Sequence, residues 1–332
     1  MAVFGAGSWG TALALVLARN GNPTLLWGRN REHMATIAAQ RCNARYFPDT
    51  SFPETLRACP DFAEAAQADE LLIAVPSQGF RDICAELSKQ RSQRPLQRLC
   101  WATKGLEPGS GKLLHQVVRE ALGEQCIPAV ISGPTFAREV ADGLPTAITL
   151  ASHDDTTANQ LAAYFHNSCF RVYTATDPIG VEVGGATKNI LAIAAGIADG
   201  LGYGANTRAA LVTRGLNEMM RLGVALGGQR ETFMGLAGLG DLVLTCTDDQ
   251  SRNRRFGGLL AKGQTPQSAI ASIGQAVEGV KAAREIYNVA HDKKISLPII
   301  EQVYHVIYEK RPPREAVNML LGREQKAEVS EP

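Results

Sequence analysis

The segment Ala186-Thr187-Lys188-Asn189 runs directly into Ile190-Leu191-Ala192-Ile193-Ala194-Ala195-Gly196-Ile197-Ala198, and no other stretch constrains the fold so tightly. At 3.6 residues per turn the apolar residues after Lys188 cover every face of a helix, so this helix is expected to be buried all round. A lysine is out of place there, because lysines are almost never fully buried without a partner. Desolvation disfavours the ammonium and lowers its pKa toward the range useful for proton transfer. Two readings stand at this point. Lys188 is a structural lysine whose head snorkels from a helix end to water, or it is a working group.

The chain of 332 residues exceeds the usual size of one hydrophobic core, so two domains are expected. Its net charge of +1 sets up no global field for nucleic acid or an anionic membrane, and any anion site must be local. The apolar runs read as too short, or too interrupted by glycine, to span a bilayer. The N-terminus lacks the basic and apolar regions of a secretory signal. Seven cysteines (Cys42, Cys59, Cys84, Cys100, Cys126, Cys169 and Cys246) are widely spaced with no C-x-x-C, and the histidines show no H-E-x-x-H. That pattern reads as reduced thiols in a cytoplasm, with neither a disulfide framework nor a metal site.

Short apolar runs alternate with helical ones through the first half. Strands are expected at Ala2–Phe4, Thr24–Trp27, Leu71–Val75, Arg98–Ala102, Ala129–Ile131, Thr146–Leu150 and Phe170–Tyr173, with a helix from Ser8 to Arg19. Continuous apolar strands alternating with helices predict an α/β fold, a Rossmann-like doubly wound and mostly parallel sheet covered on both faces. From Pro178 the pattern is helical. Leu211, Val212, Gly215, Leu216, Met219 and Met220 trace one core-facing stripe, and Ile300, Val303, Tyr304, Ile307 and Tyr308 another, behind Pro298. The expected organisation is a dinucleotide-binding domain at 1–177, an all-helical domain at 178–322 and a frayed tail at 323–332.

Gly5-Ala6-Gly7-Ser8-Trp9-Gly10 follows a strand and opens a helix, the context that gives G-x-G-x-x-G its meaning. Gly5, Gly7 and Gly10 permit a tight turn and let the backbone approach a pyrophosphate seated on the helix N-terminus. Only four residues precede Gly5, as a trimmed N-terminus would leave. The second strand ends at Trp27-Gly28-Arg29, where NAD sites usually carry an acidic residue. Arg29 can instead pair with a 2′-phosphate, so NADPH is preferred and NADH accommodated. Pro76-Ser77, Thr103-Lys104-Gly105 and Ser132-Gly133-Pro134-Thr135 fall at strand carboxyl ends, where open parallel sheets bind ligands.

Asp241 follows a Gly-Leu-Gly turn and precedes an apolar run, so it is expected partly buried and in need of a cation, with Lys188 the natural candidate. Ser251-Arg252-Asn253 offers a hydroxyl, a guanidinium fork and an amide, suited to a phosphate monoester, although a solvated basic helix start explains the same residues.

With those stretches in view, the chain resembles bacterial NAD(P)-dependent glycerol-3-phosphate dehydrogenase. The likeness rests on GAGSWGTALA at 5–14, WATKGLE at 101–107, ISGPTFA at 131–137, GGATKN at 184–189, GLGDLVLTCTDDQSRNRRFG at 238–257 and VEG at 277–279. It implies a Rossmann domain followed by a helical one, commonly in a homodimer, that reduces dihydroxyacetone phosphate to sn-glycerol 3-phosphate for glycerophospholipid synthesis. It implies that Lys188 donates and accepts the proton and binds substrate, and that Lys104 touches both substrate and cofactor. Gly133, Thr135, Asp241, Ser251, Arg252 and Asn253 match substrate contacts. Ser8, Trp9, Arg29, Ala137, Arg252, Ala276 and Glu278 match cofactor contacts. Thr187 departs from the family pattern without touching the mechanism. Two rivals remain: a related Rossmann-plus-helical dehydrogenase of 3-hydroxy acids or sugar acids, and a non-catalytic NADPH-sensing module.

Overall fold

A computed structural model describes residues 1–324. Eight strands form one sheet in the order β3-β2-β1-β4-β5-β6-β7-β8: β1 (Ala2–Phe4), β2 (Thr24–Trp27), β3 (Leu56–Cys59), β4 (Leu71–Ile73), β5 (Arg98–Trp101), β6 (Ile127–Ser132), β7 (Thr146–Ala151) and β8 (Phe170–Ala175). The first six run parallel; β7 turns antiparallel to β6, and β8 runs parallel to β7. The strand order reverses between β1 and β4, which places a ligand crevice beyond their carboxyl ends. The expected mostly parallel, doubly wound sheet is therefore present, with one strand more than the sequence indicated. That strand, Leu-Arg-Ala-Cys, has an exposed Arg57 and no clear alternation. It is a strand because β2 offers it a free edge, with Thr24 opposite Leu56 and Trp27 opposite Cys59.

The helical half is built round the core helix Pro178–Gly200. Pro178 at the first helical position and Asp177 as cap set its start, with the Asp177 carboxylate accepting from Gly180 N (2.9 Å). The other oxygen of Asp177 accepts from Gln229 N (2.8 Å) and Thr232 Oγ1 (2.6 Å), so the cap also anchors the loop behind it. Every residue from Gly180 to Ala198 is buried, as the all-round apolar pattern requires. One expectation changes: at 23 residues this helix is long and apolar enough to cross a bilayer, and its most apolar window is instead wholly enclosed by protein. The predicted stripes face it, Leu216, Met219 and Met220 from helix Ala205–Ala225 and Ile300, Val303 and Ile307 from helix Pro298–Tyr308. Arg323 and Glu324 end the described chain, so most of the expected tail lies outside the described residues.

Helix Arg252–Ala261 approaches the core helix at backbone distance. A Cβ on Gly196 would lie 1.9 Å from the Arg254 carbonyl oxygen, and one on Gly257 would lie 2.1 Å from that of Ile193. Glycine on both helices allows the crossing, and the crossing delivers the N-terminus of helix Arg252–Ala261 beside Asn189, one residue from Lys188. Gly257→Ala would add helix propensity of about 1 kcal/mol, but the obstructing atom is backbone and cannot swing aside. Overpacking of about 1–3 kcal/mol or more is expected to win, seen as a lowered midpoint in a thermal melt.

Candidate active site

Two more glycines shape the ground around Lys188. A Cβ on Gly184 would meet the Ala237 carbonyl oxygen at 2.5 Å; one on Gly185 would sit 3.1 Å from Ser132 Oγ and 3.6 Å from Lys104 Cγ. Their bare faces let a turn of the helical half press on one side of the core helix and the sheet edge on another. That turn, Leu236–Gly240, is π-helical, closed by Gly240 N to Gly235 O (3.1 Å), and leads straight into helix Asp241–Thr247. Single π turns of this kind recur at functional sites because they re-aim the next side chain. Here the next side chain is Asp241, fully buried.

Asp241 holds two lysines. Its Oδ1 accepts from Lys188 Nζ and its Oδ2 from Lys104 Nζ (2.8 Å). Lys104 leaves the end of β5, steadied by the Thr103 hydroxyl donating to Val75 O (2.7 Å) at the neighbouring strand end. Lys188 Nζ also donates to Thr245 Oγ1 (3.1 Å), and that hydroxyl donates to the Asp241 carbonyl (2.6 Å). Lys188 is only 5% exposed, so its head does not snorkel to water. Burial, with the Lys104 charge adding to it, pulls the Lys188 ammonium down to about 8 against the attraction of Asp241. Lys104 is also pulled down by burial, but the charge and hydrogen bond of Asp241 outweigh that, and its pKa is raised. One carboxylate thus serves two ammonium groups, with the pKa of Lys188 lowered and that of Lys104 raised.

Beside this cluster lies a polar seam. Asn253 Nδ2 donates to Asn189 Oδ1 (2.8 Å), Gly279 N donates to Asn253 Oδ1 (2.9 Å), and Asn189 Nδ2 donates to Glu278 Oε2 (3.4 Å). Ser251 caps helix Arg252–Ala261, its hydroxyl accepting from Arg254 N (3.2 Å). The arginines of this stretch divide. Arg254 is tied to Asp199 and Asp249, whereas Arg252 has one long contact, to Gln275 Oε1 (3.4 Å). Arg252 thus keeps its guanidinium out of any ion pair among the described residues, close to this helix N-terminus, and the exposed Arg255 joins none either. A cleft of about 220 Å³ opens alongside, bounded by Ser77, Lys104, Asn189, Ala276 and Glu278. Gly133 (φ +155°) lies with its α-carbon against Ile148, where no side chain fits, and the half-buried Thr135 donates to its carbonyl (3.2 Å).

The glycine turn stands further along the crevice. Gly5 (φ +133°) packs under Ala74, where a Cβ would lie 2.4 Å from the carbonyl oxygen; a Cβ on Gly10 would lie 1.9 Å from Gly5 O. Gly7 differs, with nothing within 4 Å of where its Cβ would be. Helix Ser8–Arg19 begins there with no side-chain cap and no acidic residue in its first turn. Free amides, a positive helix end and open space fit the pyrophosphate of a dinucleotide. Ser8 and Trp9 are half-buried at this end, and Trp9 Nε1 is a buried donor without a partner. Arg29 is exposed at the end of β2 and joins no ion pair among the described residues. Ala137 opens helix Ala137–Asp142, which packs on helix Ser8–Arg19.

The structure thus joins Lys104, Lys188 and Asp241 in one cluster and Asn253 with Glu278 through Asn189, while the glycine turn and Arg29 remain apart from both. Sequence reasoning missed Thr245, Asn189 and Gln275. Thr245 had a usable signal: four residues after Asp241 on a helix, it shares that face. Asn189 and Gln275 had none, since their partners come from distant segments.

A sheet with a bare glycine turn at its reversal point, joined through buried lysines to a helical half, defines a two-part pyridine-nucleotide dehydrogenase. Models of the NAD-dependent glycerol-3-phosphate dehydrogenase N-terminus and C-terminus match residues 1–158 and 177–318. The chain is 56% identical over 329 residues to a glycerol-3-phosphate dehydrogenase of NAD(P)+ type from Nitrosococcus oceani, covering 99% of this chain and 95% of that one. It is 54% identical over 332 residues to the same enzyme from Escherichia coli O1:K1, covering 99% and 97%. The crystal structure of glycerol-3-phosphate dehydrogenase from Coxiella burnetii superposes with a TM-score of 0.93 at 48% identity, covering 97% of this chain and 98% of that one. The chain belongs to the NAD-dependent glycerol-3-phosphate dehydrogenase family.

Asp241→Asn leaves two buried ammonium groups without a counter-charge and is expected to cost about 3–5 kcal/mol at pH 7. Lysines whose folded pKa lies below the unfolded value bind fewer protons when folded, so the deficit should shrink as pH rises toward 10. Urea unfolding of the variant at pH 7 and pH 9 checks both the size and the sign.

Proposed function

We propose that this chain reduces dihydroxyacetone phosphate to sn-glycerol 3-phosphate with NAD(P)H, reversibly, and that Lys188 carries the proton. The supporting observation is one buried ammonium, lowered to about 8, held by Asp241 at the seam between sheet and helices. Ser8, Trp9 and the Gly7 amide end would hold the dinucleotide, and the reduced nicotinamide, when bound, supplies the hydride. Arg252 and the N-terminal amides of its helix bind the substrate phosphate, with Ser251 and Asn253 shaping that end. The Lys188 ammonium donates its proton to the ketone oxygen as negative charge develops there, and returns to the ammonium by taking a proton from solvent. Asp241 keeps Lys188 pointed at the reacting oxygen and prevents its losing the proton too early. Lys104 adds a second cation, so the site as a whole attracts an anionic substrate. Gly133 and Thr135 line the substrate side from the end of β6, and Ala137, Ala276 and Glu278 the cofactor side.

NADPH is the preferred cofactor in this reading, because the end of β2 presents Arg29, which joins no ion pair among the described residues, in place of the usual acidic residue. The resemblance that carried the sequence reading extends it to a cytoplasmic homodimer that supplies glycerophospholipid synthesis.

Lys188→Ala should lower turnover by about two to four decades, the span of a positioned proton donor, while NADPH binding followed by fluorescence persists. Unchanged turnover removes Lys188 from the mechanism. The directions of reaction should titrate oppositely. Ketone reduction needs the ammonium and declines as pH rises through about 8; alcohol oxidation needs the free amine and rises through the same range. Steady-state rates from pH 6 to 10 in both directions decide it. Arg29→Ala should lower kcat/KM for NADPH about tenfold, the worth of one charge-assisted contact, with NADH little changed; equal loss with both cofactors contradicts the preference.

A further inference from the structure

Asn43 lies on the loop between helix Arg31–Gln40 and β3, more than thirty residues from the glycine turn in sequence, and is 0% exposed. Its Nδ2 donates to Ala6 O of that turn at 3.1 Å and to Thr11 Oγ1 of the helix that follows it at 2.9 Å. The loop that carries it is itself fastened. The Asn43 carbonyl accepts from Tyr46 N (3.0 Å) and Phe47 N (2.9 Å), Cys42 bridges Ser51, and the Phe47 and Phe52 rings are buried.

The geometry points to Asn43 as a positioning residue for the dinucleotide, a reading that rests on the dinucleotide binding at the Gly5–Gly10 turn as proposed above. In a trans peptide the C=O of one residue and the N–H of the next point in opposite directions. Drawing Ala6 O inward onto Asn43 therefore turns the Gly7 N–H outward, into the open space where the pyrophosphate would sit. Thr11 lies one helical turn on, so the same amide fixes the turn against the first turn of helix Ser8–Arg19. Only a side chain with two N–H donors on one atom serves both acceptors; aspartate has none and serine one. Packing alone does not explain the residue, because its Oδ1 is buried with no partner, and a desolvated acceptor of that kind costs stability. Asn43 would touch neither cofactor nor substrate; it acts through Ala6.

Asn43→Asp keeps the shape and removes both donors. Binding of ADP-ribose, which carries the pyrophosphate without the reacting ring, is measured by calorimetry next to steady-state kinetics. The affinity for ADP-ribose should fall about tenfold or more and KM for NADPH rise in step, while kcat at saturating NADPH and KM for dihydroxyacetone phosphate stay within about twofold. Thr11→Val, which leaves the Ala6 contact in place, should shift ADP-ribose affinity less than about threefold. A folded Asn43→Asp protein with unchanged ADP-ribose affinity overturns the assignment, as does a Thr11→Val effect equal to that of Asn43→Asp. Should Asn43→Asp fail to fold, Asn43→Ser decides in its place by the same two readouts. If the unsubstituted protein binds neither ADP-ribose nor its 2′-phosphorylated form, the reading of the glycine turn is wrong, an outcome distinct from failure of the clamp.

Discussion

A single carboxylate, fully enclosed, accepts from a lysine of the sheet and a lysine of the core helix. Burying three charges costs several kcal/mol each before their attraction repays it, so such a cluster is a poor device for stability alone. What it does provide is register. Lys104 comes from the end of β5, Lys188 from the middle of the core helix and Asp241 from behind a π turn, and all three must arrive together. With two cations to one anion, the cluster carries an excess positive charge in a dry seam. Burial, with the second cation beside it, holds down the pKa of Lys188.

The approach of the three elements is decided by missing side chains. Gly184 and Gly185 admit the π turn and the sheet edge; Gly196 and Gly257 admit the helix that presents Arg252. Close-packed interiors leave no slack for an added methyl where the neighbour is backbone. The position of the N-terminal end of helix Arg252–Ala261 relative to Lys188 is thus fixed by backbone contact, stiffer than a contact between flexible side chains.

Much of this was legible along the chain. The all-round apolar pattern after Lys188 required a buried helix, seven of eight strands announced themselves as apolar runs, and the glycine turn stood out because a strand precedes it and a helix follows. Asp241 as the partner of Lys188 followed from its placement before an apolar run. Less was visible wherever a residue's role depends on a distant partner. β3 has no strong strand pattern and exists by pairing with β2; Asn189 and Gln275 look like ordinary polar residues until Asn253, Glu278 and Arg252 are set beside them. The length of the core helix also escaped, since its glycines look like interruptions in sequence and prove to be contact faces in three dimensions.

Local periodicity and local chemistry, then, were enough to determine the two-part architecture, the family likeness and the identity of the buried lysine, because burial patterns and turn residues are written within a few positions of one another. The tertiary structure alone decided that Asp241 is divided between two lysines, that Arg254 is spent on Asp199 while Arg252 stays available, and that the pKa of Lys188 is lowered while that of Lys104 is raised. Those outcomes depend on distances between segments far apart in the chain and on how thoroughly each charge is desolvated, quantities that come into existence only when the elements pack.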